Sequence, residues 1–223
     1  MRKVLLLIIL VFLLASGSQA AAIGLNGSGS EALVQAGYDN STLDEAEQAL
    51  NGYTPDPAYP DDPFVIDALK EALAAAREGN YGVGACLVAE SNGTTVDRGH
   101  NQVFYPYFRS DMHAEMDVLD RYEDRMRSPS SRVDGLTLYL TLEPSPMGLS
   151  RILASGVRKV RYVVPDSEGG MLHLMNNMPP VWRELAEGKD YAQAKCSPEL
   201  KDLASKIFLL SRQRLDERLK APT

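Results

Sequence analysis

The 223-residue chain carries 30 Asp and Glu against 23 Lys and Arg and 3 His, a formal net charge of −7. Its length suits one sizeable domain with additional pieces. Its acidity argues against a protein that grips nucleic acid through the phosphates, because that requires a basic surface.

The chain opens with Met1-Arg2-Lys3, an apolar run from Val4 to Leu14, and small residues up to Ala20. Positive start, short apolar stretch and small-residue end are the pattern of a secretory signal peptide, here 1–20. The run is too short to serve comfortably as a bilayer anchor, and no cysteine follows it to carry a lipid. The expectation is an exported chain, periplasmic or extracellular, cleaved after Ala20 and left without a membrane span. Cleavage removes Arg2 and Lys3 and no acid, moving the formal charge from −7 to −9.

Residues 21–60 read as a flexible acidic linker. Asn26-Gly27-Ser28-Gly29-Ser30 has linker composition. Ser41-Thr42-Leu43-Asp44-Glu45-Ala46 resembles a capped short helix, and Thr54 to Pro63 holds four prolines with no hydrophobic period. The folded domain is expected over 61–166. Asp61-Asp62-Pro63 suits a helix entrance, and Phe64, Ala68, Leu69, Ala72, Leu73 and Ala76 then recur at helical spacing.

Val83 to Val88 is an apolar run fit for a buried strand. Ser91-Asn92-Gly93 is a turn, and Thr94 to His100 a second strand completing a hairpin. After an aromatic-rich loop, Met112 to Met126 reads as a helix burying Met112, Met116, Leu119 and Tyr122. Leu136 to Leu142 is an alternating strand, Pro146 to Ser155 a helix closed by Gly156, and Val157 to Val164 a strand parallel to the previous one. Residues 167–223 are expected to form a loop and a C-terminal helical extension, its last helix opened by Ser197-Pro198-Glu199. Cys86 sits inside a buried strand, where a lone cysteine is usually a small core residue, so a disulfide to Cys196 is not expected. Arg151, Arg158, Lys159 and Arg161 read as a solvated edge.

The chemistry gathers at His113-Ala114-Glu115 and, downstream, at Thr141-Leu142-Glu143-Pro144-Ser145-Pro146-Met147-Gly148. A His-x-Glu pair followed by Pro-Cys-x-x-Cys is the signature of the zinc deaminases, in which the His and two thiolates hold zinc and the Glu moves protons. Together with Val83-Gly84-Ala85 and Gly99-His100-Asn101, in this order and spacing, the motifs resemble the cytidine deaminase superfamily. The nearest branch is the one that holds deoxycytidylate, guanine and tRNA adenosine deaminases. The resemblance spans roughly Phe64 to Asp166. It implies an α/β fold of three layers (α/β/α), with a mixed, mostly five-stranded sheet and the site at two helix N-termini.

Carried over residue by residue, Glu115 matches the proton shuttle and His113 the histidine ligand. Asn101 matches the asparagine that bonds the substrate, and Val83, Gly84 and Ala85 the strand lying against the base. The departure falls at Ser145 and Gly148, which stand where the two cysteine ligands belong. His113 alone is insufficient for zinc; His100, His173 and Asp111 are the remaining donors to consider. Ser145 is expected to hydrogen-bond an anion or water at its helix N-terminus.

Two expectations follow. The first is a zinc-free pseudo-deaminase with no cofactor, binding a small nucleobase-like ligand. The alternative is an active hydrolytic deaminase of a free base or nucleoside on a non-standard metal site. Neither includes a nucleic-acid partner, and self-association is left open. Phe104 to Phe108 and Met171 to Met178 are expected to rim the pocket.

Overall fold

The computed structural model describes residues 40–127 and 133–220. The segment read as a signal peptide and the Gly/Ser-rich part of the linker lie outside the described residues. The elements run α1 (Asn40–Gly52), α2 (Asp62–Arg77), β1 (Gly84–Ala89), β2 (Thr95–His100), α3 (Ala114–Met126), β3 (Leu136–Leu142), α4 (Pro146–Ser155) and β4 (Lys159–Val164). A 3-10 turn (Leu172–Asn177), α5 (Pro180–Ala186), β5 (Asp190–Gln193) and the long α6 (Pro198–Lys220) complete the chain.

The sheet has five strands in the order β2-β1-β3-β4-β5. β1 pairs antiparallel with β2 and β3, while β3–β4 and β4–β5 are parallel. Alternation along a strand sends successive side chains to opposite faces, and both faces here are covered. Cys86 and Val88 join α1, α2 and α6 in one core, whereas Ala85 and Leu87 join α3 and α4 in the other. The same division runs along β3: Leu138 and Leu140 face α3 and α4, and Tyr139 faces α2. The alternation in β3 therefore separates two cores rather than core from water, and Thr137 and Thr141 are buried along with its leucines. The result is the expected α/β/α fold with a mixed five-stranded sheet.

Two regions differ from their sequence reading. The helix expected within the acidic linker is 13 residues long and buries Leu43, Ala46 and Leu50 in the first core, so 40–52 is a packed layer. The stretch from 167, read as a loop and a C-terminal helical extension, also contains the 3-10 turn, α5 and the edge strand β5. A third difference is small. The helix expected from Met112 begins at Ala114, with His113 in extended conformation at its N-cap.

The acids at the entrance of α2 are structural. Asp62 is fully buried and accepts from Tyr53 Oη at 2.5 Å and from the Ser197 backbone N–H at 2.8 Å. Asp61 accepts from Tyr139 Oη at 2.8 Å and from the Lys195 N–H at 2.6 Å. Together they tie α2 to the chain entering α6. Cys86 and Cys196 are buried free thiols on the same side of the sheet. Burial pushes both up, Cys196 to about 11 and Cys86 further. Arg151 pairs with Asp120 and Glu123, Lys159 with Glu90 and Arg161 with Asp190, so these cations of the basic-looking stretch are matched by acids. Among the described residues no helix is long and apolar enough to cross a membrane.

Candidate active site of a deaminase fold

The N-termini of α3 and α4 converge on a pocket of about 440 Å³, into which His113, Glu115, Asn101, Val83 and Ser145 all project. Both helices start from a polar residue in extended conformation, His113 for α3 and Ser145 for α4. Pro146 at the first position of α4 has the fixed φ a helix start requires. The Ser145 hydroxyl accepts the Gly148 N–H at 3.3 Å, an ordinary N-cap. It also lies 3.4 Å from His113 Nδ1.

Glu115 is the unusual member. It is only 4% exposed, and among the described residues it makes no hydrogen bond; its ionic neighbour is His113, 4.0 Å away. Its carboxylate lies over Gly148 in the first turn of α4. A Cβ built on Gly148 would fall inside that carboxylate. The first turn of a helix favours an anion, so the missing side chain at 148 both admits Glu115 and offers it partial compensation.

A catalytic zinc needs three protein donors beside its water. The residues present do not fit one. Ser145 is occupied as a helix cap, Gly148 has no side chain, and among the described residues no three His, Cys, Asp or Glu side chains are grouped to hold a metal. The substitute donors lie elsewhere. His100 is clamped between Glu71 (2.8 Å) and Glu78 (3.1 Å), both in or beside α2. Burial opposes its charge, but the two hydrogen bonds outweigh burial and raise it to about 9. Asp111 pairs with Arg109 at 3.3 Å on the surface.

His173 reaches the pocket wall only through Glu143, whose carboxylate accepts from its Nδ1 at 3.0 Å and from the backbone N–H groups of Asp166 and His173. Burial works against the Glu143 charge, and these hydrogen bonds more than offset it, so its carboxyl titrates below the usual range.

Of the strand expected against a ligand, Val83 alone lines the pocket. Ala85 is buried among the residues under α3. Gly84 is bare for a different reason: a Cβ there would strike the α2 backbone at Ala68 and Ala72. Asn101 lines the pocket at 3% exposure while its Oδ1 accepts the Val103 N–H at 3.1 Å, so it closes a turn and faces the site together. The expected aromatic and methionine rim is not there. Phe104 stacks with Tyr81 and Phe108, and Met171, Met175 and Met178 pack with Leu149 and Leu153 in a small separate core.

The other pocket wall comes from α6, through Phe208, Arg212, Asp216 and Leu219, with Asp166 and Glu168 beside it. The sequence reading missed all six. The one trace of it is the four-residue spacing of 208, 212 and 216, which places them on one helix face.

The profile of the cytidine and deoxycytidylate deaminase zinc-binding region matches residues 60–164. A tRNA-specific adenosine deaminase of Bacillus subtilis (strain 168) is 37% identical over 118 residues, covering 53% of this chain and 70% of the relative. The chain belongs to the cytidine and deoxycytidylate deaminase family. Among solved structures, a tRNA:A34 deaminase studied for A-to-I editing at the wobble position superposes with a TM-score of 0.55 at 24% identity, over 65% of this chain and 98% of that one. The guanine deaminase of Nitrosomonas europaea gives 0.53 at 19% identity, over 75% and 92%. The matched family region thus covers β1 to β4 and the two site helices, and the departure at 145 and 148 lies within it.

Proposed function

We propose that this deaminase-family chain is an exported pseudo-enzyme that binds a small amino-bearing ring without zinc and without hydrolysing it. The observation that carries the reading is the overlap of the Glu115 carboxylate with the side-chain space of Gly148. A second cysteine at 148 and Glu115 in its present position are mutually exclusive, so the site is built around the loss of the ligand.

What survives suits binding. Glu115 presents a buried carboxylate lacking a hydrogen-bond donor among the described residues, and a ligand N–H or amino group would supply that donor. Val83 and Leu142 give the pocket apolar surface, and Asn101 and His113 add polar contacts. The tRNA adenosine and guanine deaminases among its relatives make a purine-like ring the first class to test. Export gives the loss a physical motive, because two thiols at Cys-x-x-Cys spacing in an oxidising compartment pair and exclude a metal.

The test has two arms on the mature protein, purified without chelator. Metal content after exposure to zinc is expected to show no stoichiometric zinc. Calorimetry with guanine, adenine and cytosine is expected to detect binding of at least one base, with no ammonia released on prolonged incubation. Stoichiometric zinc, or ammonia release, would overturn the reading in favour of a working deaminase.

A further inference from the structure

The first half of α6 belongs to the core, where Leu200, Ala204 and Ile207 pack with α1 and α2. Its second half passes the pocket and is fastened to three separate segments around it. The first is the segment leading into β1. There Gly82 donates its N–H to Ser211 Oγ at 3.0 Å, and the helix lies so close that a Cβ on Gly82 would meet the Ile207 carbonyl oxygen at 2.6 Å. Tyr81 Oη adds a hydrogen bond to Asp216 at 2.7 Å. The second is the loop after β4, where Arg212 bonds Glu168 at 2.6 Å and lies 3.9 Å from Asp166. The third is the loop after β2, where the Arg218 guanidinium sits 4.3 Å above the Phe104 ring.

The wall carries both signs, with Lys220 lining the pocket beside Asp166, Glu168 and Asp216. Asp166, Glu168 and Asp216 all engage Arg212, which therefore offers little to an incoming anion. A base presented on a nucleic-acid strand must swing out into the pocket while its backbone runs past the mouth. That backbone needs cations along its path. Here it meets the body of a helix packed against Gly82, with Lys220 set beside three carboxylates.

We infer that the second half of α6 is a built-in lid that restricts the pocket to free small molecules and excludes a base carried on a polynucleotide, with Arg212 as its latch. This rests on the pocket being a ligand site and adds the class of ligand it takes. A single exposed ion pair contributes little; Arg212 matters because one guanidinium joins two acids of the loop after β4 to Asp216 of its own helix.

The experiment reads access to the pocket floor without relying on any ligand. Ser145→Cys places a thiol in the pocket, and the native thiols of Cys86 and Cys196 are buried. The full chain is labelled with methyl methanethiosulfonate and, separately, with an activated disulfide carrying a short oligonucleotide. Both rates are normalised to those of an exposed control, Asp124→Cys in an otherwise native chain.

The normalised oligonucleotide-to-small-reagent ratio is expected below about one tenth, and Arg212→Ala with Asp216→Ala should raise it about tenfold, the scale of loosening a local closure. Tyr81→Phe is the gentler second variant, with a smaller rise in the same direction. A normalised ratio near one in the parent, or a low ratio that no lid variant changes, would overturn the lid. Free-base calorimetry stands apart: its failure would remove the ligand reading and leave the labelling ratio interpretable.

Discussion

Glu115 carries a buried charge that the described structure does not satisfy with a hydrogen bond, and this shapes what its substitution should do. Burying a carboxylate without a hydrogen-bond donor costs stability unless a partner is supplied. Glu115→Gln keeps the shape and removes the charge. It is expected to raise stability by on the order of 1 kcal/mol in urea denaturation at pH 7. It should also weaken binding of an amino-bearing base about tenfold. Unchanged base affinity would take Glu115 out of the ligand site.

Gly148 is the reciprocal case. Gly148→Cys must displace the Glu115 carboxylate and is expected to cost about 1–3 kcal/mol, the usual scale of overpacking. Adding Glu115→Ala should recover most of that loss, a coupling a double-mutant cycle measures directly. Additive losses would mean that the two side chains do not compete.

Among the elements, the link between α2 and the end of β2 has a defined pH dependence. His100 is held by Glu71 and Glu78 and its pKa is raised to about 9. A group raised in the folded state contributes its full stability below its unfolded value of about 6.5 and loses it as pH climbs through the folded value. His100→Asn is therefore expected to cost on the order of 1–2 kcal/mol at pH 6 and little at pH 10. Denaturant midpoints across that range test it, and a cost independent of pH would mean that the ring acts by packing alone.

Some elements were legible before the fold was known. Leu136–Leu142 is a strand and Pro146–Ser155 a helix closed by Gly156, as their patterns predict, because proline, glycine and β-propensity act locally. β5 was not legible. Asp190-Tyr191-Ala192-Gln193 has no apolar run, and it forms a strand because β4 offers it an edge.

For the whole molecule, the proposed export carries its own test. Processing at Ala20 predicts that the mature protein, recovered from the periplasm or medium of an expressing cell, begins at Ala21. N-terminal sequencing and intact mass check this. Recovery only from the cytosol with residues 1–20 retained would remove export and, with it, the redox motive for losing the cysteines. Acidity and the α6 wall bear on the same scale, since both oppose a polyanionic partner.

The amino-acid sequence by itself determined the family resemblance, most of the sheet, the pairing of His113 with Glu115, and the departure at Ser145 and Gly148. These follow from short-range pattern and from residue chemistry at fixed spacing. Only the tertiary structure decided that Glu115 fills the room left at Gly148, that His100 at the end of β2 is clamped by Glu71 and Glu78, and that Gly84 is bare for a helix. It also placed the second half of α6, more than 40 residues beyond β4, as the outer wall of the site. Each of these is a contact between segments far apart in the chain, set by how two cores pack against one sheet, and no local pattern encodes that.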